Sequence, residues 1–383
     1  MKRTIILLFA AVILIIIFPT AAHSYSERDT DIPGNEVYVN EKILSNAESV
    51  YDSLPESVKD ILASLQINGV NQDEITALDV NCFAGVFMDM IKNAFSDEYI
   101  SGGIVIGIIL LCAMVNCFKS SENSNGQIFD IAAVMCFCAG MVIPISKLIE
   151  SGAQIISDTT SFMTVYIPVM AGLMISSGQA VSGGAYYALM MSAAQICSFL
   201  CSKVIIPAVN IFFALSIVSE ISPQMDSQRL CDALNKAIKW VLGFAMSIFA
   251  SLFTLQGVVG GYSDNLSTRA AKFAVRSFVP VVGNALSDVY STVTASVKLL
   301  KSGVGVVAVM GTGFIFLPVI LKCFVWMLIL TIGGICAGLF DLKPICGIID
   351  VCSKTLSCFA AVLFSVMALF IISTAMVLVF GAG

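Results

Sequence analysis

The order of hydrophobic and polar positions divides the chain into three unlike stretches. A short apolar run, residues 5–18, follows two basic residues near the start. Between Tyr25 and Glu98, apolar positions recur at helical spacing among many polar ones. After Glu98 the chain is a succession of long apolar segments that few charges interrupt. This pattern predicts a leader, a polar helical region and a polytopic helical membrane domain, and hence an all-α protein.

Residues 1–24 have the order of a secretory signal peptide. Lys2 and Arg3 precede the apolar run, and Ala22-His23-Ser24 fits the small-x-small rule for cleavage, with Thr20-Ala21-Ala22 as a second choice. An uncleaved anchor helix is the alternative, but residues 5–18 are fewer than the ~20 that a span needs. Both interpretations place residue 25 onward outside the cytoplasm.

Residues 25–98 are predicted to form an acidic extracytoplasmic helical region. They contain 15 of the 26 acidic residues of the chain and four basic ones. Short amphipathic helices are expected on either side of Pro55, the second ending at Asn68-Gly69, and a third helix leads from Phe83 towards the membrane. Because about 70 such residues make a marginal core, we expect these helices to pack on the membrane domain or on a partner. A solvated acidic face without a partner is the alternative.

Nine apolar segments follow, in a membrane domain that we assign to residues 99–383. The segment 162–176 has only 15 residues, too few for a ~30 Å hydrocarbon layer, which predicts a re-entrant or broken helix. Between Ser151 and Ser219 the chain is rich in Gly, Ser and Pro, so discontinuous helices are expected there. The nine segments are 99–118, 128–146, 162–176, 185–201, 204–219, 238–260, 303–321, 324–340 and 356–380.

The charges of residues 261–302 predict the side of the membrane on which each loop lies. This stretch has five basic and two acidic residues, so the positive-inside rule places it in the cytoplasm. Starting outside at Glu98, the chain then makes an odd number of crossings before residue 261, and one segment between 162 and 219 is expected not to span. The expected topology has about eight crossings and an extracytoplasmic C-terminus. A location of 261–302 at the outer interface is the alternative.

A basic amphipathic helix is predicted within this stretch. Arg269, Lys272 and Arg276 fall at i, i+3 and i+7 on one face, whereas Phe273 and Phe278 belong to an apolar face. Pro280 then interrupts the helix. These six residues are candidates for contact with anionic headgroups at the membrane surface or, alternatively, for docking a protein partner.

Two GxxxG pairs in apolar segments are candidates for close helix packing. They are Gly103 with Gly107, and Gly334 with Gly338. Glycines at this spacing allow two helix backbones to approach closely. We expect packing within one chain, and contact between copies in a homo-oligomer is the alternative.

Composition and charge exclude several classes of function. The chain is 58% hydrophobic and only 12% charged, and its net charge of -6 opposes nucleic-acid binding. The single histidine, His23, lies in the predicted signal peptide. The mature chain would then lack an imidazole, which excludes Ser-His-Asp hydrolysis, HExxH zinc catalysis and Cys-His nucleophiles.

No residues are predicted to be catalytic, to bind a cofactor or to bind a metal. The chain has no GxSxG, GxGD, Walker A or GxGxxG motif. The pairs Cys197 with Cys201 and Cys136 with Cys138 are closely spaced, but without histidine or a second CxxC a zinc site is not expected. We interpret the cysteines as small apolar residues. The sequence therefore favours a protein that is not an enzyme.

Three blocks of sequence resemble a known family. They are residues 54–62 (LPESVKDIL) with Gly69-Val70 following, Lys272-Phe273-Ala274, and residues 278–283 (FVPVVG) leading to Leu286-Ser287-Asp288. Together with the signal peptide, the acidic region and the order of apolar segments, they resemble the stage III sporulation protein AE family of endospore-forming bacteria. The motifs are hydrophobic and thus less specific than a catalytic signature, and no catalytic residues are carried over.

The resemblance implies a component of the mother-cell membrane that surrounds the forespore. There the family works with other membrane proteins in a complex that spans the space between the two cells. The resemblance implies that this complex sustains forespore development, and a channel is one role suggested for the complex. The acidic region would then face the intermembrane space. An independent small-solute permease is the alternative, which predicts an inverted repeat. A membrane enzyme is the third hypothesis, and the missing histidine opposes it.

Overall fold

The computed structural model describes residues 41–70, 80–117, 126–221, 231–255 and 283–380, and these residues are helical apart from short turns. No strand occurs among them, which confirms the all-α prediction. A five-residue π-helix, Cys201–Ile205, joins α5 to α6 without a break. The helices are α1 Glu41–Asp52, α2 Glu56–Ser64, α3 Val80–Cys117, α4 Gly126–Ser176, α5 Ala180–Leu200, α6 Ile206–Ile221, α7 Cys231–Leu255, α8 Gly283–Leu339 and α9 Lys343–Phe380.

The two short helices of the acidic region lie on either side of Pro55, as predicted. Helix α2 ends earlier than expected, at Ser64, because Gln66 adopts the left-handed conformation with φ 65°. The Ile67 N–H then donates to the Leu62 carbonyl at 2.9 Å, which closes a Schellman motif. Both helices pack against α8, and α1 also contacts α4. Helices α1 and α2 therefore pack on the long helices. This packing was one of the two arrangements expected from the small amount of apolar surface in residues 25–98.

The apolar segments after Glu98 are not nine separate helices. Segments 128–146 and 162–176 both lie in α4, which has 51 residues and contains Pro144 and Pro168 without ending. Segments 303–321 and 324–340 both lie in α8, which has 57 residues. The structure shows no break at residues 162–176, where a re-entrant or broken helix was expected. Proline in an apolar helix bends the chain but need not end the helix when neighbours satisfy the freed carbonyl.

The predicted irregularity between residues 151 and 219 occurs at two places. Helix α4 ends at the turn Ser177-Gly178-Gln179, in which Gly178 has φ 89°. The Gln179 N–H donates to the Met174 carbonyl at 2.9 Å and the Gly178 N–H to the Ile175 carbonyl at 3.0 Å, a second Schellman motif. The π-helix between α5 and α6 is the other irregularity.

Close contacts between glycines and apolar side chains define how the long helices pack. Helix α3 runs parallel to α8, since a Cβ on Gly102 would lie 2.6 Å from Ile329 and one on Gly333 would lie 2.9 Å from Ile109. Helix α9 is antiparallel to α8. A Cβ on Gly305, in the first half of α8, would overlap Leu378 in the last part of α9, and Gly334, near the end of α8, faces Ile349 near the start of α9. Helices α4 and α5 form a second antiparallel hairpin.

Charged side chains of several helices lie at one height of this bundle, and we call them the polar belt. Glu98 of α3 marks this height, because its Oε2 accepts a hydrogen bond from the Trp326 indole of α8 at 2.9 Å. Gly152 of α4 contacts Phe359 of α9, so the residues around these two positions lie at about the height of Glu98. The members of the belt are Glu98, Lys147, Glu150, Lys322 and Lys354.

The polar belt separates two tiers, and α8 differs in exposure between them. The upper tier lies on the Lys301 side, and there residues 303–317 of α8 are buried on all sides. The lower tier lies on the Leu339 side, and there α8 exposes apolar side chains, with Leu328 48% and Ile335 61% exposed. This exposed apolar surface is typical of helices that face lipid.

Six helical stretches in the described ranges are long and apolar enough to cross a membrane. They confirm a polytopic helical membrane protein, although neither the number of crossings nor their direction follows from length and composition. The stretches are Glu98–Asn116, Ala132–Ser176, Ala180–Ser219, Cys231–Leu255, Leu300–Leu339 and Lys343–Ala375.

We predict that Gly152→Ala destabilises the bundle. The added methyl group would overlap the ring of Phe359, which is completely buried and has no room to move. Overpacking of this kind costs about 1–3 kcal/mol, so the thermal unfolding temperature of the purified protein in detergent should fall.

Gly172→Ala is the matched control in the same helix. A Cβ on Gly172 meets no atom within 4 Å, and alanine is favoured over glycine in a helix by about 1 kcal/mol. This variant should unfold at the wild-type temperature or above it. Equal unfolding temperatures for the two variants would contradict the close contact between α4 and α9.

Candidate functional site

Polar side chains are buried at the upper end of the bundle, where the α4–α5 turn meets α8. We call this cluster the polar end; its members are Ser177, Gln179, Ser182 and Lys301. Each is at most 9% exposed, and Lys301 is only 3% exposed. A polar cluster at this depth is unusual, since buried lysines are rare unless they are paired.

The turn places Gln179 towards α8. The left-handed Gly178 ends α4, and the Gln179 carbonyl then accepts a hydrogen bond from the Gly183 N–H at 2.8 Å as α5 begins. A side chain at Gly183 would lie 3.0 Å from the Ala171 carbonyl oxygen, so only glycine lets the two helices approach this closely. The turn is thereby held tightly between α4 and α5.

A hydrogen bond across the polar end joins the two long hairpins. Lys301 Nζ donates to Gln179 Oε1 at 3.1 Å, and both side chains are buried. Ser177 Oγ donates to the Met174 carbonyl at 2.8 Å within its own turn. Because leaving a buried amide oxygen without a donor is costly, this contact holds the α4–α5 hairpin to the α8–α9 hairpin. The arrangement can position helices relative to one another.

No group of three or more His, Cys, Asp and Glu side chains in the described part of the chain lies close enough to hold a metal ion. The described cysteines include the pairs that the sequence singled out, and all of them are free thiols. Cys197 and Cys201 are both buried in the helical stretch of α5 and the π-helix.

Comparison with known proteins identifies the family. The model of the stage III sporulation protein AE family matches residues 72–381. The chain belongs to this family. The stage III sporulation protein AE of Bacillus subtilis (strain 168) is 26% identical over 295 residues, which cover 74% of this chain and 73% of that protein. No solved structure matches the chain. Membership in the stage III sporulation protein AE family confirms the resemblance and supports a role in sporulation.

The matched residues of the stage III sporulation protein AE family include the polar end, the polar belt and every long helix. They begin after α1 and α2, which therefore lie outside the part that the family model covers. The candidate interface residues of the basic stripe fall inside the match but outside the described residues, so their role stays a prediction. These residues are Arg269, Lys272, Phe273, Arg276, Phe278 and Pro280.

The candidate packing glycines lie in different surroundings. A Cβ on Gly103, Gly107 or Gly338 would meet no atom within 4 Å, and one on Gly334 would meet Ile349 at 3.4 Å. The closer contacts involve their neighbours Gly102 and Gly333. Packing at the GxxxG pairs stays a prediction, and the open surroundings of Gly103 and Gly107 leave that face of α3 available to another helix.

Sequence reasoning missed the polar end. Lys301 was counted among the surface charges of residues 261–302, although it begins the apolar stretch Leu300–Leu339. A lone lysine at the start of a long apolar helix was the available signal. The partner, Gln179, lies 122 residues away, and no local pattern identifies a contact of that sequence separation.

We predict that Lys301→Met lowers the unfolding temperature in detergent. Methionine keeps most of the apolar stem but leaves the buried Gln179 Oε1 without this donor, at a cost of about 1–3 kcal/mol. The double variant Lys301→Met, Gln179→Leu removes both partners and should recover part of the loss.

Lys354→Met is the control for removal of a lysine charge. Lys354 pairs with Asp350 at 3.4 Å, but the two side chains are 63% and 73% exposed, and such a pair contributes about 0–1 kcal/mol. If Lys301→Met is no more harmful than Lys354→Met, the polar end does not hold the hairpins together.

Proposed function

We propose that this protein is a non-enzymatic integral component of a trans-envelope complex between mother cell and forespore, required for endospore development. It lies in the mother-cell membrane that surrounds the forespore, with its N-terminal region extracytoplasmic. Its partners are other membrane proteins of the sporulation complex and membrane lipids. Family membership supports the role in sporulation.

The observation that carries the proposal is the length of the bundle relative to a membrane. Helix α4 has 51 residues and α8 has 57, and at ~1.5 Å per residue they are about 75–85 Å long. A hydrocarbon layer is ~30 Å thick. The two helices are therefore much longer than one crossing needs, and we infer that the upper tier, in which residues 303–317 of α8 are buried by protein, projects beyond the bilayer.

The acidic helices indicate which side the upper tier occupies. Helices α1 and α2 pack on α8 at Gly311, whose Cβ would lie 2.6 Å from Leu54. The predicted signal peptide places these helices outside the cytoplasm. The upper tier then stands in the extracytoplasmic space, which in an engulfed forespore is the space between the two membranes. A subunit shaped in this way reaches from the membrane towards partners in that space.

This placement favours six crossings over the eight expected from the sequence. Among the described residues, four stretches that are long and apolar enough to span precede residue 256, and an even number of crossings would return the chain to the side of Glu98. Residues 261–302 would then be extracytoplasmic, opposite to the positive-inside prediction. Their net charge of +3 would lie on the same side as the net charge of -11 of residues 25–98, an arrangement that electrostatic attraction favours.

Reporter fusions test this topology. A fusion after residue 225 should give a cytoplasmic signal, and fusions after residues 275 and 383 should give extracytoplasmic signals. A cytoplasmic signal after residue 275, with the signal after residue 225 unchanged, would restore the odd number of crossings and contradict an extracytoplasmic upper tier.

A crosslinking pull-down from sporulating cells tests the role in a complex. The protein should be recovered with other membrane proteins, and deletion of its gene should block development after engulfment without affecting vegetative growth. Lys354→Met, a surface substitution, should leave recovery unchanged. Recovery of the chain alone, together with solute uptake by reconstituted vesicles, would favour the independent permease.

A further inference from the structure

A pocket between α4 and α6 opens at the surface of the bundle, and we call it the α4–α6 pocket. Its volume is about 700 Å³, and most of its lining is apolar, with Phe213 among the lining side chains. Ser146 and Glu150 of α4 and Asn210 of α6 also line it, and all three are exposed. The Glu150 carboxylate forms no ion pair with any residue of the described part of the chain. The pocket therefore offers an apolar surface with one free negative charge.

Helix α7 exposes a surface with the complementary properties. The rings of Trp240 and Phe244 stack with their centroids 5.3 Å apart, and these side chains are 68% and 55% exposed. Lys239, beside the stack, is also exposed, and none of the described acidic groups pairs with it. The opposite face of α7 packs in the core through Ile238 and Leu242. We call Lys239, Trp240 and Phe244 the α7 patch.

The α7 patch and the α4–α6 pocket lie at about the same height of the bundle. Lys239 is close enough to Cys358 of α9 for the two side chains to interact electrostatically. The next residue of α9, Phe359, contacts Gly152 of α4. Gly152 follows Glu150 by two residues, which is only ~3 Å along a helix. Copies of the chain in one membrane share the same orientation and height, so Lys239 of one copy is level with Glu150 of its neighbour.

We propose that the α4–α6 pocket of one copy binds the α7 patch of a second copy. The stacked rings enter the apolar pocket, as aromatic anchors commonly do at protein interfaces. The Lys239 ammonium group pairs with the Glu150 carboxylate of the neighbour, and this pairing of opposite charges fixes the register of the two surfaces.

The contact is head-to-tail, because the pocket and the patch are different surfaces of the same chain. Each copy in the middle of an assembly therefore uses both surfaces, and repetition of the contact within the membrane gives a ring or an open row of copies. The contact requires only that the copies share a membrane, so it does not depend on the proposed role in a complex with other proteins.

Charge reversal tests the pairing of Lys239 with Glu150. Copies with two different tags are expressed together and purified in detergent through one tag, and recovery of the other tag measures self-association. Glu150→Lys and Lys239→Glu should each lower this recovery by about tenfold, since like charges across an interface disfavour association. The double variant restores opposite charges and should regain most of the recovery. Glu48→Lys makes the same charge change at an exposed position of α1 and should leave recovery unchanged.

Photo-crosslinking identifies the occupant of the pocket without a change of charge. A benzophenone-bearing phenylalanine in place of Trp240 should join two full-length copies, and the crosslinked peptides should come from α4 or α6. The same label in place of Leu328, which is 48% exposed on α8, is the control and should not reach those peptides. Crosslinks from position 240 to lipid or to another protein only, or a double variant that associates no better than the single ones, would overturn the proposal.

Discussion

Close packing around α8 is the interaction on which the rest of the structure depends. Helices α3, α4 and α9 all pack against it, and so do the two short helices α1 and α2. Several of these contacts occur where a glycine of one helix receives an apolar side chain of another, as Gly311 receives Leu54. In lipid, where apolar burial drives association only weakly, such close backbone approach is what holds helices together. The same kind of contact occurs on both sides of the polar belt, as between Gly305 and Leu378 above it and between Gly333 and Ile109 below it.

In the proposed topology, the two tiers are stabilised by different physical effects. Residues 303–317 of α8 are buried by protein on every side, and because the proposal places this tier in water, removal of apolar surface from water would stabilise it as in a soluble domain. In the lower tier, Leu328 and Ile335 remain exposed, so close packing between helices must stabilise this part. The acidic helices α1 and α2 are thus part of the fold, because without them the apolar surface of α8 around Gly311 would be uncovered.

The sequence predicted the helical class, the short helices around Pro55 and the irregular region near Ser177, because those features depend on local periodicity and on turn residues. It did not predict that apolar segments fuse into α4 and α8. A polar stretch between two apolar ones looks the same in sequence whether it is a loop or the belt of a continuous helix. The Lys301–Gln179 and Trp326–Glu98 contacts were also missed, since each joins residues more than 100 positions apart, and such pairs are set by packing of the whole bundle.

The polar groups of the described residues lie in different surroundings in the two tiers. At the polar end, Lys301 and Gln179 are buried and hydrogen-bonded to each other, so they hold helices together. Further down, Ser146, Glu150 and Asn210 line the α4–α6 pocket, and their side chains are exposed at the surface of the bundle. Because exposed polar groups are costly against lipid, a neighbouring copy or a partner that covers this face would stabilise it. Such an arrangement fits a subunit of a complex better than an independent permease.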